Sequence, residues 1–148
     1  MNLVFRKVDE ENENDVVQFN NLMDDLSEHA ENQNLLKEKI HNINQREDEY
    51  LLVAEDMDRG IICGSAFGII FDDLCGNLEP VMVIENVVTH HEYRRIGVGR
   101  AVLKELEEWG KLQKAHYAIL CSALKRKEAH SFYGNLGYEE VKGFKKYL

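Results

Sequence analysis

The fold of this chain is decided by the stretch Glu85-Asn-Val-Val-Thr-His-His-Glu-Tyr-Arg-Arg-Ile-Gly-Val-Gly-Arg-Ala-Val-Leu103. The apolar run Val81–Val88 predicts a strand, a polar loop follows it, and a helical pattern begins at the glycines. Gly97 and Gly99 carry no Cβ, so the backbone there can approach a ligand closely. The first turn of a helix has unpartnered N–H groups and partial positive charge, and such a terminus binds phosphate.

Three arginines surround these glycines. Arg94 and Arg95 precede the helix and Arg100 lies in its first turn, and guanidinium groups are well suited to phosphate oxygens. The dinucleotide fingerprint is excluded because Val102 stands where its third glycine belongs, and no Gly-x4-Gly-Lys-Ser/Thr sequence is present. The stretch therefore predicts a pyrophosphate-binding loop. Without further context, a plain loop with glycine turns is an equal alternative.

Length and composition predict one globular domain, residues 1–148, in which 30% of the residues are charged and 44% are hydrophobic. No apolar run approaches the roughly 18 residues of a membrane span, and the N-terminus is typical of a strand rather than a signal peptide. Cys63, Cys75 and Cys121 are odd in number and lack Cys-x-x-Cys spacing, which indicates reduced thiols in a cytoplasmic protein. The pair His90-His91 is interpreted as solvated, and no metal site is predicted.

The net charge of −9 argues against nucleic-acid binding. Residues 1–93 carry 6 basic and 21 acidic side chains, a balance of −15, whereas residues 94–148 carry 12 basic and 6 acidic ones, a balance of +6. This division suits an anionic ligand at the rear and a cationic ligand at the front. Solvated surface charge without a functional role explains the acidic half equally well.

Hydrophobic periodicity predicts seven strands and four helices along the chain. The order indicates an α+β fold with a mixed, largely antiparallel sheet of six to seven strands, flanked by about four helices. The strand–helix–strand unit around the glycines should cross over right-handed, so that its two strands are parallel neighbours. The predicted strands are Leu3–Val8, Tyr50–Glu55, Ile61–Phe71, Glu79–Val88, Ala115–Cys121, Tyr138–Val141 and Phe144–Leu148. The predicted helices are Asp15–Leu26, Asn34–Ile43, Gly97–Gln113 and Lys127–Leu136.

Two separated motifs resemble the GNAT superfamily of acyl-CoA-dependent N-acetyltransferases. The stretch from Ile84 to Leu103 is similar to the family's strand, Arg/Gln-x-x-Gly-x-Gly/Ala loop and helix. Glu128-Ala-His-Ser-Phe-Tyr-Gly-Asn-Leu-Gly-Tyr138 is similar to the family's Ala-x-x-Phe-Tyr-x-x-x-Gly-Phe/Tyr segment. The order of elements also agrees over nearly the whole chain. Three departures stand in the loop, where the family often has Gly, Lys and Pro at the positions of Arg95, Ile96 and His91.

The resemblance implies a fold with a βαβ acyl-CoA-binding unit and acetyl-CoA as acyl donor. The central strand would pair through its backbone with the pantetheine arm where two parallel strands splay apart, and the amides leading into the helix would hold the pyrophosphate. Three later residues would contact the far side of the cofactor, with an ordinary core or surface role as the alternative. The implied cofactor-binding residues are Val87, Val88, Thr89, Arg94, Arg95, Ile96, Gly97, Val98, Gly99, Arg100 and the later Ser122, Arg126 and Phe132.

Acyl transfer from a thioester to an amine needs a neutral amine, a donor for the developing oxyanion and a proton for the departing thiolate. By its place in the second motif, Tyr133 is the expected proton donor to the sulfur; its alternative is a core aromatic. Glu85 is the expected general base, or orders a water that serves as one; its alternative is a carboxylate whose hydrogen bonds come from the backbone or from a neighbouring strand. The Val87 N–H is the oxyanion donor by family analogy only. An acyl-enzyme on Cys121 is the rival mechanism, although a structural thiol is favoured there.

The sequence therefore predicts an acetyl-CoA-dependent N-acetyltransferase acting on a primary amine of a small molecule by direct attack in a ternary complex. Acidic residues of the front half weakly favour a cationic acceptor. The alternatives are a non-catalytic acyl-CoA-binding module and an amino-sugar phosphate N-acetyltransferase, which the acidic front half disfavours. Many relatives are dimers, so a homodimer is considered, but no stretch identifies an interface. The acidic residues in question are Asp24, Asp25, Glu28, Glu31, Asp72 and Asp73.

Overall fold

Five strands form one mixed sheet in the computed structural model, which describes all of residues 1–148. The strands follow one another across the sheet in chain order, and all neighbours are antiparallel except β4 and β5, which are parallel. The mixed, largely antiparallel character and the parallel pair around the glycines are thus confirmed. The strands are β1 (Leu3–Lys7), β2 (Glu49–Asp56), β3 (Ile61–Asp72), β4 (Pro80–Thr89) and β5 (Ala118–Ile119).

Four α-helices accompany the sheet, as predicted: α1 (Glu13–Leu22), α2 (Gln33–Asn44), α3 (Val98–Leu112) and α4 (Lys127–Asn135). The first two begin at asparagine caps, because the side chains of Asn12 and Asn32 accept hydrogen bonds from amides of the first turn. The helix predicted to reach Leu26 ends earlier, and its last turn tightens into the short 3-10 helix Met23–Asp25.

The sheet is buried on both faces by these helices. On one face α3 packs on alternate strand residues such as Leu52 and Ala54, forming one hydrophobic cluster. On the other face α1 and α2 pack on the intervening residues such as Leu51 and Val53, forming a second cluster. Because side chains alternate across a strand, this two-sided burial explains why the central strands are continuous apolar runs.

Glycines of β3 let α3 lie close against the sheet. A Cβ at Gly64 would lie 3.1 Å from side-chain atoms of both Val98 and Val102. Gly68 lies four residues further along β3, and a Cβ there would lie 2.9 Å from Leu106 Cδ1 and 3.0 Å from Trp109 Cζ3 of α3. The small residues that interrupt this strand therefore fix the distance between helix and sheet.

We expect Gly68→Ala to lower the free energy of unfolding by about 1–3 kcal/mol, because the added methyl group overpacks the contact with α3. Urea denaturation of the purified variant measures this change. Gly134→Ala is the matched control, since a Cβ at Gly134 in α4 meets nothing within 4 Å and alanine is the better helix former. Unchanged or higher stability of Gly68→Ala would contradict the close packing of α3 on β3.

The strands predicted at Tyr138–Val141 and Phe144–Leu148 are wrong, so the sheet has five strands instead of six to seven. Residues 138–148 form no strand, turn or bend, and residues 139–148 make no backbone hydrogen bond. The strand predicted at Ala115–Cys121 is also shorter, because only Ala118 and Ile119 pair with β4. A strand forms only where its backbone pairs with a neighbouring edge, and these residues make no backbone hydrogen bond to β5, the last strand of the sheet.

No helix of the protein combines the length and the apolar character that crossing a membrane requires.

All three cysteines are free thiols, as the sequence indicates, with Cys63 buried and Cys75 and Cys121 exposed. Burial raises the pKa of the Cys63 thiol to about 11, which suits an inert structural thiol.

Candidate functional site

The loop that the sequence predicts to bind phosphate, residues 94–97 and here called the phosphate loop, leads directly into α3. Gly97 is the N-cap of the helix and has φ +94°, a left-handed conformation that favours glycine. The first helical hydrogen bond runs from the Ala101 N–H to the Gly97 carbonyl at 3.0 Å, and the amides of residues 94–100 make no well-formed bond to any backbone acceptor. The arrangement therefore offers consecutive free donors at the positive end of a helix dipole, which can hold an anion.

Arg95 adopts the left-handed conformation as well, with φ +63°. The family often has glycine at this position, and the backbone geometry explains why. Its side chain is exposed and lies 3.8 Å from the Glu128 carboxylate. Arg94, Ile96 and Arg100 are exposed too, so the loop presents its cationic side chains to solvent around the free amides.

Three elements of the site meet at Gly99. A Cβ there would lie 3.0 Å from Thr89 Oγ1, at the end of β4, and 3.2 Å from Phe132 Cζ, on α4. Val98 is buried beneath the loop and anchors the start of α3 in the core. The structure thus brings Thr89 and Phe132 to the loop.

Strands β4 and β5 separate just beyond their paired residues. They pair only through Met82 with Ala118 and Val83 with Ile119. Past this point a cavity of about 110 Å³ opens between them. Because parallel strands that diverge leave backbone groups unpaired, the opening can accept an extended ligand between β4 and the chain after β5. The cavity is lined by Leu26, Ile84, Glu85, Asn86, Val87, Leu120, Cys121, Arg126 and Tyr133.

A β-bulge in β4 shapes one wall of this cavity. Ser65 pairs with Val88 but Phe67 pairs with Glu85, so one extra residue is inserted in β4. Asn86 takes φ +51° at this point, and its carbonyl accepts a 2.9 Å hydrogen bond from Ser65 Oγ. Sequence reasoning missed the bulge, although an asparagine among β-branched residues is the residue that tolerates this conformation best after glycine.

The two predicted catalytic residues line the same cavity in different surroundings. Tyr133 is half-buried and packs on Phe132 and Tyr138 at ring-centroid distances of 5.3 and 5.8 Å, while its hydroxyl makes no hydrogen bond within the protein. Burial raises the pKa of Tyr133, with Arg126 opposing and Glu85 adding to the rise. Glu85 is exposed, and its carboxylate has no hydrogen-bond or ion-pair partner in the chain. The alternative, a carboxylate that accepts hydrogen bonds from the backbone or from a neighbouring strand, is not found.

Ser122 lies apart from the other predicted cofactor-binding residues. It lines a larger groove of about 700 Å³ between β5, α3 and α4, and its Oγ is buried without a hydrogen-bond partner. Arg126 lines the cavity between the strands. Val88, in contrast, is buried in the core that α1 and α2 cover.

Asp25, one of the acidic residues of the N-terminal half, contacts the phosphate loop and the residues just before it. The Asp25 carboxylate accepts a hydrogen bond from the His91 backbone N–H and lies 3.1 Å from the His91 ring Nδ1. The Asp25 backbone carbonyl accepts a hydrogen bond from Arg94 Nη2 at 3.2 Å. Burial acts to raise the pKa of Asp25, but the His91 hydrogen bonds and the charge of Arg94 outweigh it and leave this pKa below its ordinary value. Sequence reasoning placed Asp25 at the acceptor site and missed this contact between elements 66 residues apart.

Asp25, His90 and His91 could in principle hold a metal ion, because their ligand atoms all lie within 4.8 Å of one another. Arg94 Nη2 already lies 3.7 Å from Asp25 Oδ1 and supplies positive charge there. The other acidic residues are scattered. Asp24 contacts His29 Nδ1 at 2.9 Å. Asp72 lies opposite Pro80 in the β3–β4 ladder, and Pro80 is five residues from Glu85 along β4, which places Asp72 roughly 17 Å from Glu85.

Solved structures of several acetyltransferases share this fold. A GNAT family acetyltransferase of Staphylococcus aureus is 26% identical, with a TM-score of 0.81 and full coverage (100%) of both chains. The glucosamine-6-phosphate N-acetyltransferase of Arabidopsis thaliana is 20% identical, with a TM-score of 0.86 and 99% coverage of both chains. Aminoglycoside N-acetyltransferase AAC(6')-Iy, solved in complex with CoA, is 16% identical, with a TM-score of 0.80, covering 99% of this chain and 94% of the other.

A sequence model of the acetyltransferase (GNAT) family matches residues 16–138. The chain belongs to this family, which confirms the resemblance seen in its two motifs. No curated protein matches the sequence at a significant level.

Proposed function

We propose that the protein transfers the acetyl group of acetyl-CoA to a primary amine of a small molecule by direct attack in a ternary complex. The observation that carries this proposal is a juxtaposition. Glu85 and Tyr133 line the cavity that opens between β4 and the chain after β5. The free amides of the phosphate loop begin at residue 94, shortly after the end of β4 at Thr89. The free thiols suit a cytoplasmic protein, which is the location we propose.

The residues present fit coenzyme A. The free amides from Arg95 to Arg100 and the exposed arginines suit the pyrophosphate, and Val87 and Thr89 at the opened edge of β4 suit the amide groups of the pantetheine arm. The CoA complex of the structural neighbour AAC(6')-Iy supports the same ligand for this fold. When bound, acetyl-CoA supplies the thioester carbon that the amine attacks.

The chain's own groups then have distinct tasks. Glu85, exposed and unpaired, accepts a proton from the amine directly or through a water. The Val87 N–H donates to the developing oxyanion. Tyr133, kept protonated by its burial, donates to the departing sulfur. Cys121 also lines the cavity, but it has no histidine–carboxylate pair beside it, so direct transfer remains the preferred mechanism.

Replacing Glu85 tests its role as base. We expect Glu85→Gln to lower kcat/KM about 10- to 100-fold near pH 7, and we expect the loss to shrink as the pH approaches the pKa of the acceptor amine, because the amine then loses its proton without help. Thiol release measured across pH 6–10 follows both effects. Glu79→Gln is the matched control, since Glu79 pairs with exposed His116 at the start of the same strand. Equal rates for both variants would contradict the assignment.

The proposal does not yet name the acceptor amine. The balance of −15 over residues 1–93 favours a cationic amine, although Asp25 is engaged by His91 and Arg94. Acceptor screening with purified protein and acetyl-CoA, read as thiol release, tests the function directly. Polyamines and aminoglycosides represent cationic acceptors, and glucosamine 6-phosphate represents the amino-sugar phosphates suggested by the Arabidopsis neighbour. Turnover of glucosamine 6-phosphate alone would replace the cationic acceptor with that alternative.

A non-catalytic acyl-CoA-binding module is the second class that the phosphate loop allows. Such a module would bind acetyl-CoA with no thiol release for any amine, and Glu85→Gln and Tyr133→Phe would leave every measured property unchanged. The unpartnered Glu85 carboxylate and Tyr133 hydroxyl favour the enzyme instead, because a binding module has no use for two free proton-transfer groups at the opening.

A further inference from the structure

The face of the sheet that α1 and α2 cover is left partly bare beside Glu85. Phe67 of β3 packs at the margin of the hydrophobic cluster beneath these two helices. Ile69 and Val83 show their side chains on the same face, belong to neither hydrophobic cluster and are partly exposed, and Phe71 is 44% exposed. The helices therefore stop short of an apolar strip, here called the apolar platform (Phe67, Ile69, Phe71 and Val83).

The apolar platform reaches the Glu85 carboxylate. Glu85 lies opposite Phe67 in the β3–β4 ladder, and Val83 lies opposite Ile69. Side chains directly opposite each other in such a ladder have Cβ atoms about 5 Å apart, and residues two apart on one strand face the same side about 7 Å apart. Leu26 adds a further apolar side chain to the cavity that Glu85 lines. A molecule on the platform can therefore place an amine at Glu85 while its other atoms contact hydrocarbon.

The position of the phosphate loop gives the direction from which the acceptor approaches. That loop follows the end of β4 at Thr89, so an acyl donor anchored there reaches Glu85 from the side of Val87. The acceptor is left with the opposite direction along β4, past Val83. This is the direction in which the apolar platform extends.

Charge on this face is confined to one end of the platform. Between Glu85 and the turn after Asp72, the side chains that β3 and β4 show on this face are all uncharged. Glu49, opposite Ile69 on β2, is engaged by Arg46 at 3.0 Å. A second ammonium group on the acceptor would therefore lie on hydrocarbon and lose hydration without gaining a free carboxylate.

We propose that the acceptor is a primary monoamine with an apolar body, an alkylamine or an aralkylamine, whose amine faces Glu85 and whose hydrocarbon lies on the apolar platform. The inference rests on the proposed acetyl transfer and names its substrate class. The neutral amine nitrogen bonds to the acetyl carbon as the C–S bond breaks, and the proton that it loses to Glu85 is balanced by the one that Tyr133 gives to the sulfur. Such an amine is protonated in solution, so the excess of acidic residues over residues 1–93 still attracts it.

A matched pair of amines tests the substrate class. Hexylamine and 1,6-diaminohexane have the same carbon chain and differ in the second ammonium group. With acetyl-CoA and thiol release as the readout, we expect kcat/KM for hexylamine to exceed that for the diamine about tenfold or more. We also expect it to exceed that for butylamine about fourfold, because the two additional methylene groups are partly buried on the platform.

The outcomes separate the substrate class from the reaction. Turnover of 1,6-diaminohexane or glucosamine 6-phosphate with a kcat/KM equal to or above that of hexylamine would overturn the apolar acceptor and leave the proposed acetyl transfer standing. Absence of thiol release with every amine would overturn the acetyl transfer itself, and the substrate class with it.

Substitutions at Val83 test whether the platform is the surface that selects the amine. Val83→Thr keeps a β-branched side chain, so it should fold, and it should lower kcat/KM for hexylamine about threefold. Val83→Asp adds a carboxylate beside Glu85 and should make the diamine the better substrate of the two. Val4→Thr on β1, at the opposite edge of the sheet and 39% exposed, is the matched control and should change neither rate. Circular dichroism checks the fold of each variant. A preference for hexylamine that Val83→Thr leaves unchanged would overturn the role of the platform.

Discussion

Tyr133→Phe is expected to lower kcat by about 10²- to 10³-fold while the affinity for acetyl-CoA stays nearly unchanged, because the substitution removes one proton donor and leaves the ring. The hydroxyl is the only group removed, and it makes no hydrogen bond within the protein, so the substitution should not affect folding. The ring itself packs on Phe132 and Tyr138, and phenylalanine keeps those contacts. Steady-state thiol release measures kcat, and calorimetry with acetyl-CoA measures the affinity.

The control for this variant is Tyr138→Phe on the neighbouring ring. Tyr138 donates a 2.8 Å hydrogen bond to Glu107 Oε1, so its loss should lower stability by about 1 kcal/mol and leave kcat within about twofold of the unaltered protein. The pH profile adds a second readout. Burial raises the pKa of Tyr133 above its ordinary value near 10, so the donor stays protonated and kcat should show no fall between pH 7 and pH 9. Equal kcat for Tyr133→Phe and the unaltered protein would remove Tyr133 from the chemistry.

Gly97→Ala is expected to weaken acetyl-CoA binding about 10- to 100-fold, through the backbone alone. A Cβ at Gly97 meets nothing within 4 Å, so no clash is involved. The left-handed conformation at φ +94° costs an L-residue about 1–2 kcal/mol, and relaxation of this strain should shift the amides that we propose to hold the pyrophosphate. Calorimetric titration with acetyl-CoA measures the loss, and thermal denaturation measures the accompanying fall in stability.

Gly76→Ala separates loop geometry from general strain. Gly76 also has positive φ, +58°, and a Cβ there also meets nothing within 4 Å, but it lies in the turn between β3 and β4. We expect a similar loss of stability for both variants and weaker cofactor binding for Gly97→Ala only. If both variants bind acetyl-CoA as tightly as the unaltered protein, the phosphate loop is not the pyrophosphate site.

The elements with strong periodicity were predictable from the sequence. The apolar stripe of α3 and the two-sided apolar runs of β3 and β4 carry enough repeats to fix their type and their bounds to within one or two residues. The C-terminal strands failed for a physical reason. Phe144 and Tyr147 have β-favouring side chains, but a strand also needs an edge beside it, and no local pattern reports where the other edge lies.

The residues of the candidate site likewise fall into those that a local motif predicts and those that only the tertiary structure reveals. The phosphate loop stands in a contiguous motif, so its residues can be proposed from their spacing, whereas Tyr133 is proposed from the resemblance of the second motif to the family. The Asp25–His91 contact and the bulge at Asn86 depend on packing between elements distant in sequence, and nothing local to Asp25 distinguishes it from Asp24. The same limit applies to Ser122, whose place in the larger groove follows from how the chain leaves β5.

The glycine contacts beneath α3 have a consequence for ligand capture. Gly64 and Gly68 hold one side of the helix against β3, and a Cβ at Gly110 near its end would lie 2.9 Å from Met82 Cε. A helix packed this closely along its length has little room to slide or tilt. We therefore expect α3 to be preformed in the free protein, so that binding of the proposed diphosphate at its N-terminus costs little conformational entropy, and α3 should superpose in free and bound crystals.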